Sequence, residues 1–182
     1  MNDEKNTRYV RVISVLAFCG VTLAVNGLLR MLPDTAIAPV FCHIPARLTA
    51  GYYNAPLQTP ELVFIAHGTT FEVARSCAAT DFFSMVTGLL AYGVFTKVAQ
   101  TRMPVLPSAL LFLCILPAAW CVTLITNTIR LIFLVPATTW VYHYLPERAF
   151  AASHQALGTI IFLTSFILLW KGVHYVTRKS AT

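Results

Sequence analysis

Four long stretches with few charged residues constrain the fold of this chain more than any other feature. They cover about residues 12–32, 78–99, 105–130 and 152–170. A run of about 20 mostly apolar residues is long enough for a helix to cross the hydrocarbon core of a membrane. Because backbone groups in lipid must pair internally and no stretch alternates like a strand, we predict four transmembrane helices.

The composition excludes an ordinary water-soluble globule. Hydrophobic residues make up 57% of the 182 residues and charged residues only 11%, whereas soluble proteins average about 25% charged residues. No linker, internal repeat or low-complexity tract divides the chain. We therefore predict a single domain, residues 1–182, of an all-α integral membrane protein.

The distribution of basic residues predicts the orientation of the helices. Four crossings place both termini on one side, which carries Lys5, Arg8, Arg11, Lys97, Arg102, Lys171, Arg178 and Lys179. The opposite side carries Arg30, Arg47, Arg75, Arg130 and Arg148. Basic loops stay in the cytoplasm, so we expect a multi-pass protein of the bacterial cytoplasmic membrane. Because these residues are separated by spans, membrane lipid and not nucleic acid is the expected partner.

The first apolar stretch shares its profile with secretory signal peptides. It follows a charged leader that includes Lys5 and Arg8, and Ala36-Ile37-Ala38 has the pattern of a cleavage site. We expect the segment to be retained as a span. Its apolar run is longer than the core of a usual signal peptide, and Arg30 precedes the site.

The outer loop, residues 33–77, contains a hairpin signal before the second helix. Within residues 61–74, two short β-prone runs lie on either side of His67-Gly68. A turn-forming pair between apolar and β-branched runs is typical of a β-hairpin. We therefore predict a small outward-facing hairpin whose second strand leads into Cys77.

The segment after the third stretch is apolar and aromatic but is interrupted by Pro136. It is too short and too broken to predict a fifth span. We expect the third helix to end near Arg130 and residues 131–151 to form an interfacial segment with a turn at Pro146.

Three reactive side chains meet on the outer side under this topology. Cys77 lies at the start of the second helix, Arg130 near the end of the third and His154 at the start of the fourth. A thiol that attacks, an imidazole that moves protons and a guanidinium that holds negative charge are sufficient for nucleophilic catalysis. A helix N-terminus, an arginine and a protonated histidine each favour the thiolate form. These residues are the predicted catalytic group.

Each residue also has a simpler interpretation. A cysteine is ordinarily a small buried hydrophobic residue, and we expect this of Cys19, Cys114 and Cys121. An arginine near a helix end can extend its charge to the interface, and a single histidine is more often structural than catalytic. His67 is the second choice for the base. Asp81 has no assigned role, because its charge opposes a thiolate unless Arg75 or another cation offsets it.

Three separate blocks resemble a known family. They are Phe71-Glu-Val-Ala-Arg-Ser-Cys77, Asn127-Thr-Ile-Arg130 and His154-x-x-x-Gly158-x-x-x-Phe162. In order, spacing and membrane side they resemble the exosortases and archaeosortases, membrane cysteine enzymes that process C-terminal sorting signals. The resemblance covers roughly residues 60–165.

The resemblance implies a role for each matched residue. Cys77 would be the nucleophile, Arg130 the group that stabilises the transition state, His154 the proton-transfer residue and Asn127 a supporting group. The chain departs from the family at Ala79, where members usually have glycine, and in its smaller number of spans. These departures suggest a small branch such as exosortase K.

The resemblance also implies the reaction. A secreted precursor, held by its C-terminal sorting tail, would be attacked by Cys77 to give a thioester, which an acceptor resolves in a transpeptidase and water resolves in a protease. The alternative is a non-enzymatic membrane subunit of a transport or assembly complex. A haem-binding or quinone-linked redox protein is disfavoured, because the five cysteines form no C-x-x-C pair. No metal or organic cofactor is indicated.

Overall fold

Helices dominate the computed structural model, which describes residues 2–74, 77–101, 103–144 and 147–179. The elements are α1 (Asn2–Met31), α2 (Asp34–Phe41), α3 (His43–Tyr52), β1 (Val63–Ala66), β2 (Thr69–Glu72), α4 (Thr80–Thr101), α5 (Val105–Leu113), α6 (Ile115–Tyr144) and α7 (Glu147–Lys179). The predicted mostly helical fold with a small antiparallel sheet is confirmed. Arg75, Arg102 and the turn expected at Pro146 lie outside the described residues.

Four helical stretches in the described part of the chain are long and apolar enough to cross a membrane. They are Tyr9–Met31, Thr80–Thr101, Val105–Val141 and Ala152–Arg178. Each overlaps one of the stretches predicted from the sequence. Helix α7, which contains the fourth of these stretches, begins before residue 152 and continues well past residue 170.

The third helix is longer than predicted. Residues 131–144, which were expected to belong to an interfacial segment, continue the helix. The third stretch contains α5, a turn at Cys114 and then α6, which continues past Arg130 to Tyr144 with Pro136 inside the helix. Proline lacks the N–H that would bond to the carbonyl four residues earlier, here that of Ile132. The hydroxyl of Tyr53 donates a hydrogen bond to this carbonyl at 2.6 Å. A side chain from the loop of residues 33–77 thus replaces the bond that Pro136 removes.

Tyr53→Phe is expected to lower the stability of the fold by about 1 kcal/mol, because a carbonyl loses its partner. Burial, followed by the charge of Tyr52, raises the pKa of the Tyr53 phenol, so the hydroxyl remains a donor at neutral pH. Thermal unfolding in detergent measures the effect, with Tyr52→Phe as the exposed control. In a Pro136→Ala background the new N–H should make Tyr53→Phe nearly neutral; an unchanged loss there would contradict this explanation.

The loop of residues 33–77 contains the predicted hairpin and two helices that the sequence did not predict. Strands β1 and β2 are antiparallel, with Ala66 opposite Thr69. His67 and Gly68 form the turn with φ angles of 50° and 74°, as a tight two-residue hairpin requires. Helices α2 and α3 bury one side of their surfaces through Ile37, Phe41, Ala46 and Ala50.

The described residues divide into two compact units, and the single domain predicted from the sequence stays a prediction. The first unit comprises residues from 1–31, 80–122 and 166–182, and the second comprises residues from 32–79 and 123–165. The proposed catalytic residues all belong to the second unit.

In the first unit, α1 and α4 pack as antiparallel neighbours. Ser14 accepts a hydrogen bond from Thr96 at 2.9 Å near one end, and Asp81 accepts one from Asn26 at 2.7 Å near the other. Gly88 permits the close approach, since a Cβ there would lie 2.8 Å from the Phe18 carbonyl. These contacts fix the register of the helix pair.

Asp81 has another cation beside it, as the sequence analysis allowed: Arg30 lies 3.7 Å away in an exposed ion pair. The expectation for three cysteines is wrong. Cys19, Cys114 and Cys121 are exposed on helix surfaces and not buried as expected. Helices that belong in lipid have apolar residues on their outer surface, so burial cannot be inferred from their hydrophobicity.

Candidate active site

Cys77 lies in a short connection between the hairpin and α4. The N–H of Val73 donates to the carbonyl of Leu62 at 3.2 Å, and that of Cys77 donates to the carbonyl of Ala74 at 2.8 Å. The side chain of Cys77 is only 5% exposed. The connection therefore holds the thiol in a largely buried position close to the hairpin.

Ala79 has a φ angle of 54°, in the left-handed region that glycine adopts readily and other residues adopt at a cost of about 1–2 kcal/mol. The chain therefore carries local backbone strain two residues after Cys77, at a position whose conformation favours glycine.

Ala79→Gly is therefore expected to raise the stability of the fold by about 0.5–1 kcal/mol, because glycine relieves the left-handed strain. Ala78→Gly is the matched control. Ala78 is fully buried and has no positive φ angle, so its replacement should lower stability by about 1 kcal/mol. Thermal unfolding of the two variants in detergent distinguishes these effects, and equal losses would contradict the strain argument.

Asn127, on α6, connects the backbone of Cys77 to the rest of the site. Its Nδ2 donates a hydrogen bond to the Cys77 carbonyl at 2.6 Å, and the side chain is fully buried. Its Oδ1 accepts a weak bond of 3.5 Å from Nη1 of Arg130. The amide of Asn127 thus contacts both the backbone of Cys77 and the guanidinium of Arg130, which lies one turn further along α6.

Arg130 is a buried cation without a carboxylate partner. It is 5% exposed, and the described residues place no acidic group within ion-pair distance of it. Its Nε is also buried and has no acceptor in the described part of the chain. Burial of an unpaired charge costs several kcal/mol, and such residues usually serve a function.

One face of α7 completes the surroundings of Arg130. His154, Gly158 and Phe162 are spaced four residues apart and so lie on the same side of the helix. The guanidinium carbon lies 5.2 Å from the centre of the Phe162 ring. A Cβ at Gly158 would be only 2.7 Å from Nε of Arg130. The guanidinium therefore occupies the space that glycine leaves open.

Cys77 and His154 line the same cavity, whose volume is about 220 Å³. The rest of its lining comes from the hairpin region and from α6: Phe64, Thr70, Phe71, Glu72, Val73, Leu131, Leu134, Val135 and Thr138. Arg130 interacts electrostatically with both Cys77 and His154. The structure thus brings together the four residues that the sequence singled out.

His67, the second choice for the base, lies elsewhere. It is exposed in the hairpin turn, and its ring contacts that of Tyr53 with the centres 5.3 Å apart. It does not line the cavity that contains Cys77. Among the described histidines, His154 is the one that reaches this cavity.

Cys42 is a neighbour of the site that sequence reasoning missed. Its thiol is fully buried and donates a hydrogen bond to the Ala74 carbonyl at 3.6 Å. Burial, and then the charge of Cys77, raises the pKa of Cys42 to about 11. At neutral pH only roughly one molecule in ten thousand carries this thiolate, so Cys42 is a poor nucleophile. No spacing in the sequence links it to Cys77.

Comparison of the chain with protein-family models, with curated proteins and with solved structures found no match. Within the described residues, no group of three or more histidine, cysteine or acidic side chains is arranged to hold a metal ion.

Proposed function

We propose that this protein is a membrane cysteine peptidase or transpeptidase of the exosortase type, which cleaves the C-terminal sorting signal of secreted precursors. The observation that carries the proposal is the shared cavity of Cys77 and His154 beside the buried Arg130. A thiol, an imidazole and an unpaired guanidinium are the groups that thiol-dependent acyl transfer uses.

The reaction would proceed in two stages. His154 removes the proton from Cys77, and the thiolate attacks the scissile carbonyl carbon, so that a C–S bond forms. Negative charge develops on the carbonyl oxygen, where N–H groups of Arg130 stabilise it. The C–N bond then breaks, His154 gives the proton to the leaving amine, and a thioester remains on Cys77. An acceptor amine, or water, attacks the thioester and releases the thiol.

The apolar surface supports the membrane part of the proposal. Only 6% of the most apolar part of Tyr9–Met31, and likewise of Ala152–Arg178, is buried within the protein. Exposed apolar surface of this extent requires lipid or a partner. With the basic termini in the cytoplasm, Cys77 would face the periplasm or cell exterior, where the C-terminal tail of a precursor can present its peptide.

Cys77→Ala in the organism of origin tests the proposal. Mass spectrometry of C-terminal peptides should find secreted precursors that lose their hydrophobic tails in the wild type but keep them in the variant. Cys121→Ala is the matched control, because this thiol is exposed on a helix surface. Unchanged processing in Cys77→Ala would exclude the mechanism. Normal processing in Cys77→Ser would favour the non-enzymatic subunit instead.

A further inference from the structure

The cavity beside Cys77 is large enough for a side chain. Its volume is about 220 Å³, whereas an apolar cavity of about 150 Å³ binds benzene. The hairpin region contributes Phe64, Phe71 and Val73, and α6 contributes Leu131, Leu134 and Val135. Because Cys77 also lines it, whatever enters the cavity is adjacent to the thiol.

We propose that this cavity is a specificity pocket, which holds one aromatic or branched aliphatic side chain of the substrate next to the bond that is cleaved. This inference rests on the proposed function, since it takes Cys77 as the nucleophile. It adds the substrate class: peptides with a large apolar residue beside the scissile bond.

The polar groups of the lining support an apolar occupant. The O–H of Thr138 is shared between the carbonyls of Leu134 at 2.8 Å and Val135 at 3.1 Å, so its one donor is already engaged. Glu72 is exposed, at the end of β2. A charged side chain placed among Phe64, Leu134 and Val135 would lose its hydration against apolar walls, which is unfavourable.

Both walls of the pocket are held in place. The rings of Phe64 and Phe71 stack with their centres 5.6 Å apart, and the side chain of Phe64 is only 2% exposed. On the opposite wall, Leu131, Leu134, Val135 and Thr138 follow the spacing of one helix face. A pocket with fixed walls distinguishes side chains by size as well as by polarity.

Alkyl methanethiosulfonates test the pocket without a known substrate. The Cys77 thiolate attacks the reagent's sulfenyl sulfur, a disulfide to the alkyl group forms and methanesulfinate leaves. The protein is a full-length variant in nanodiscs with Cys19, Cys42, Cys114 and Cys121 replaced by alanine. Rate constants for the methyl, butyl and benzyl reagents are measured by intact mass. A variant that retains only Cys121, which is exposed, corrects for partitioning of the reagents into lipid.

After this correction, we expect the butyl and benzyl reagents to react with Cys77 at least tenfold faster than the methyl reagent, because burial gives roughly fourfold per methylene. Val135→Phe, which fills the pocket, should reduce the ratio of the butyl and benzyl rates to the methyl rate towards one. Leu134→Ala, which enlarges the pocket, should favour benzyl over butyl. If Val135→Phe does not fold, the Leu134→Ala variant still tests whether the pocket determines the preference.

The possible failures are distinguishable. Equal corrected rates for methyl and butyl reagents, or a preference that neither pocket variant changes, would overturn the pocket and leave the nucleophile untouched. Unchanged precursor processing in Cys77→Ala would overturn the proposed function, and with it the role in specificity, even if the alkyl preference is present.

Discussion

Arg130→Met is expected to slow precursor processing strongly, without abolishing it, while leaving the fold about as stable as the wild type. Arginine and methionine are similar in length, but methionine provides no hydrogen-bond donor. Removal of one donor that stabilises the developing negative charge typically slows acyl transfer about 10²–10³-fold. The measurement is the fraction of tail-bearing precursor that is cleaved, compared with the thermal unfolding temperature of the same purified variant.

The stability half of this prediction follows from the surroundings of the guanidinium. Arg130 is buried without a carboxylate among the described residues. Its guanidinium contacts the ring of Phe162 and donates a weak bond to Asn127. Replacement of buried charges by apolar residues of similar volume is often neutral or stabilising. The lost cation–π contact contributes about 0.5–2 kcal/mol in the opposite direction.

Arg130→Lys is the matched control. Lysine retains the charge but not the planar set of donors, so we expect processing between that of the wild type and that of Arg130→Met. A structural arginine would behave differently. It would give an unfolded Arg130→Met protein, or a folded one that processes its precursors like the wild type, and either result would contradict the assigned role.

The long helices and the hairpin could be predicted from the sequence because local features determine them. The length of the apolar stretches predicts the four helices. The His67-Gly68 pair predicts the turn, where both residues have positive φ angles. The continuation of α6 through Pro136 could not be predicted. The carbonyl of Ile132, which Pro136 leaves without its helical donor, accepts a hydrogen bond from Tyr53, which is distant in the sequence. Helices α2 and α3 likewise depend on the burial of residues such as Ile37 and Phe41, which short proline-containing segments do not reveal.

The candidate site, like the fold, could be predicted from the sequence only in part. Membrane topology was enough to expect Cys77, Arg130 and His154 at one depth, because each lies near the same end of a predicted span. The bond from Asn127 to the Cys77 carbonyl and the burial of Cys42 beside the thiol depend on packing between distant segments. Only the three-dimensional structure provides them.

Gly158→Ala is expected to reduce processing by about 10²-fold without lowering stability. A Cβ at this position would lie 2.7 Å from Nε of Arg130 and 3.2 Å from the guanidinium carbon. These atoms are the far end of a flexible side chain, so the guanidinium can move away at little cost to the fold. Alanine also favours a helix over glycine by up to about 1 kcal/mol. Displacement by about 1 Å is enough to cost catalysis that much.

Two comparisons isolate this effect. Gly172→Ala lies on the same helix with nothing near its added methyl group, so it should gain stability and leave processing unchanged. In the Arg130→Met background, Gly158→Ala should have no further effect on the fraction of precursor cleaved, since residues that act through one another are not additive. If the two losses added instead, Gly158 would act by some route other than the position of Arg130. The cycle therefore tests the central geometric claim about the site: α7 leaves space at one glycine so that a buried arginine can lie close to Cys77 and His154.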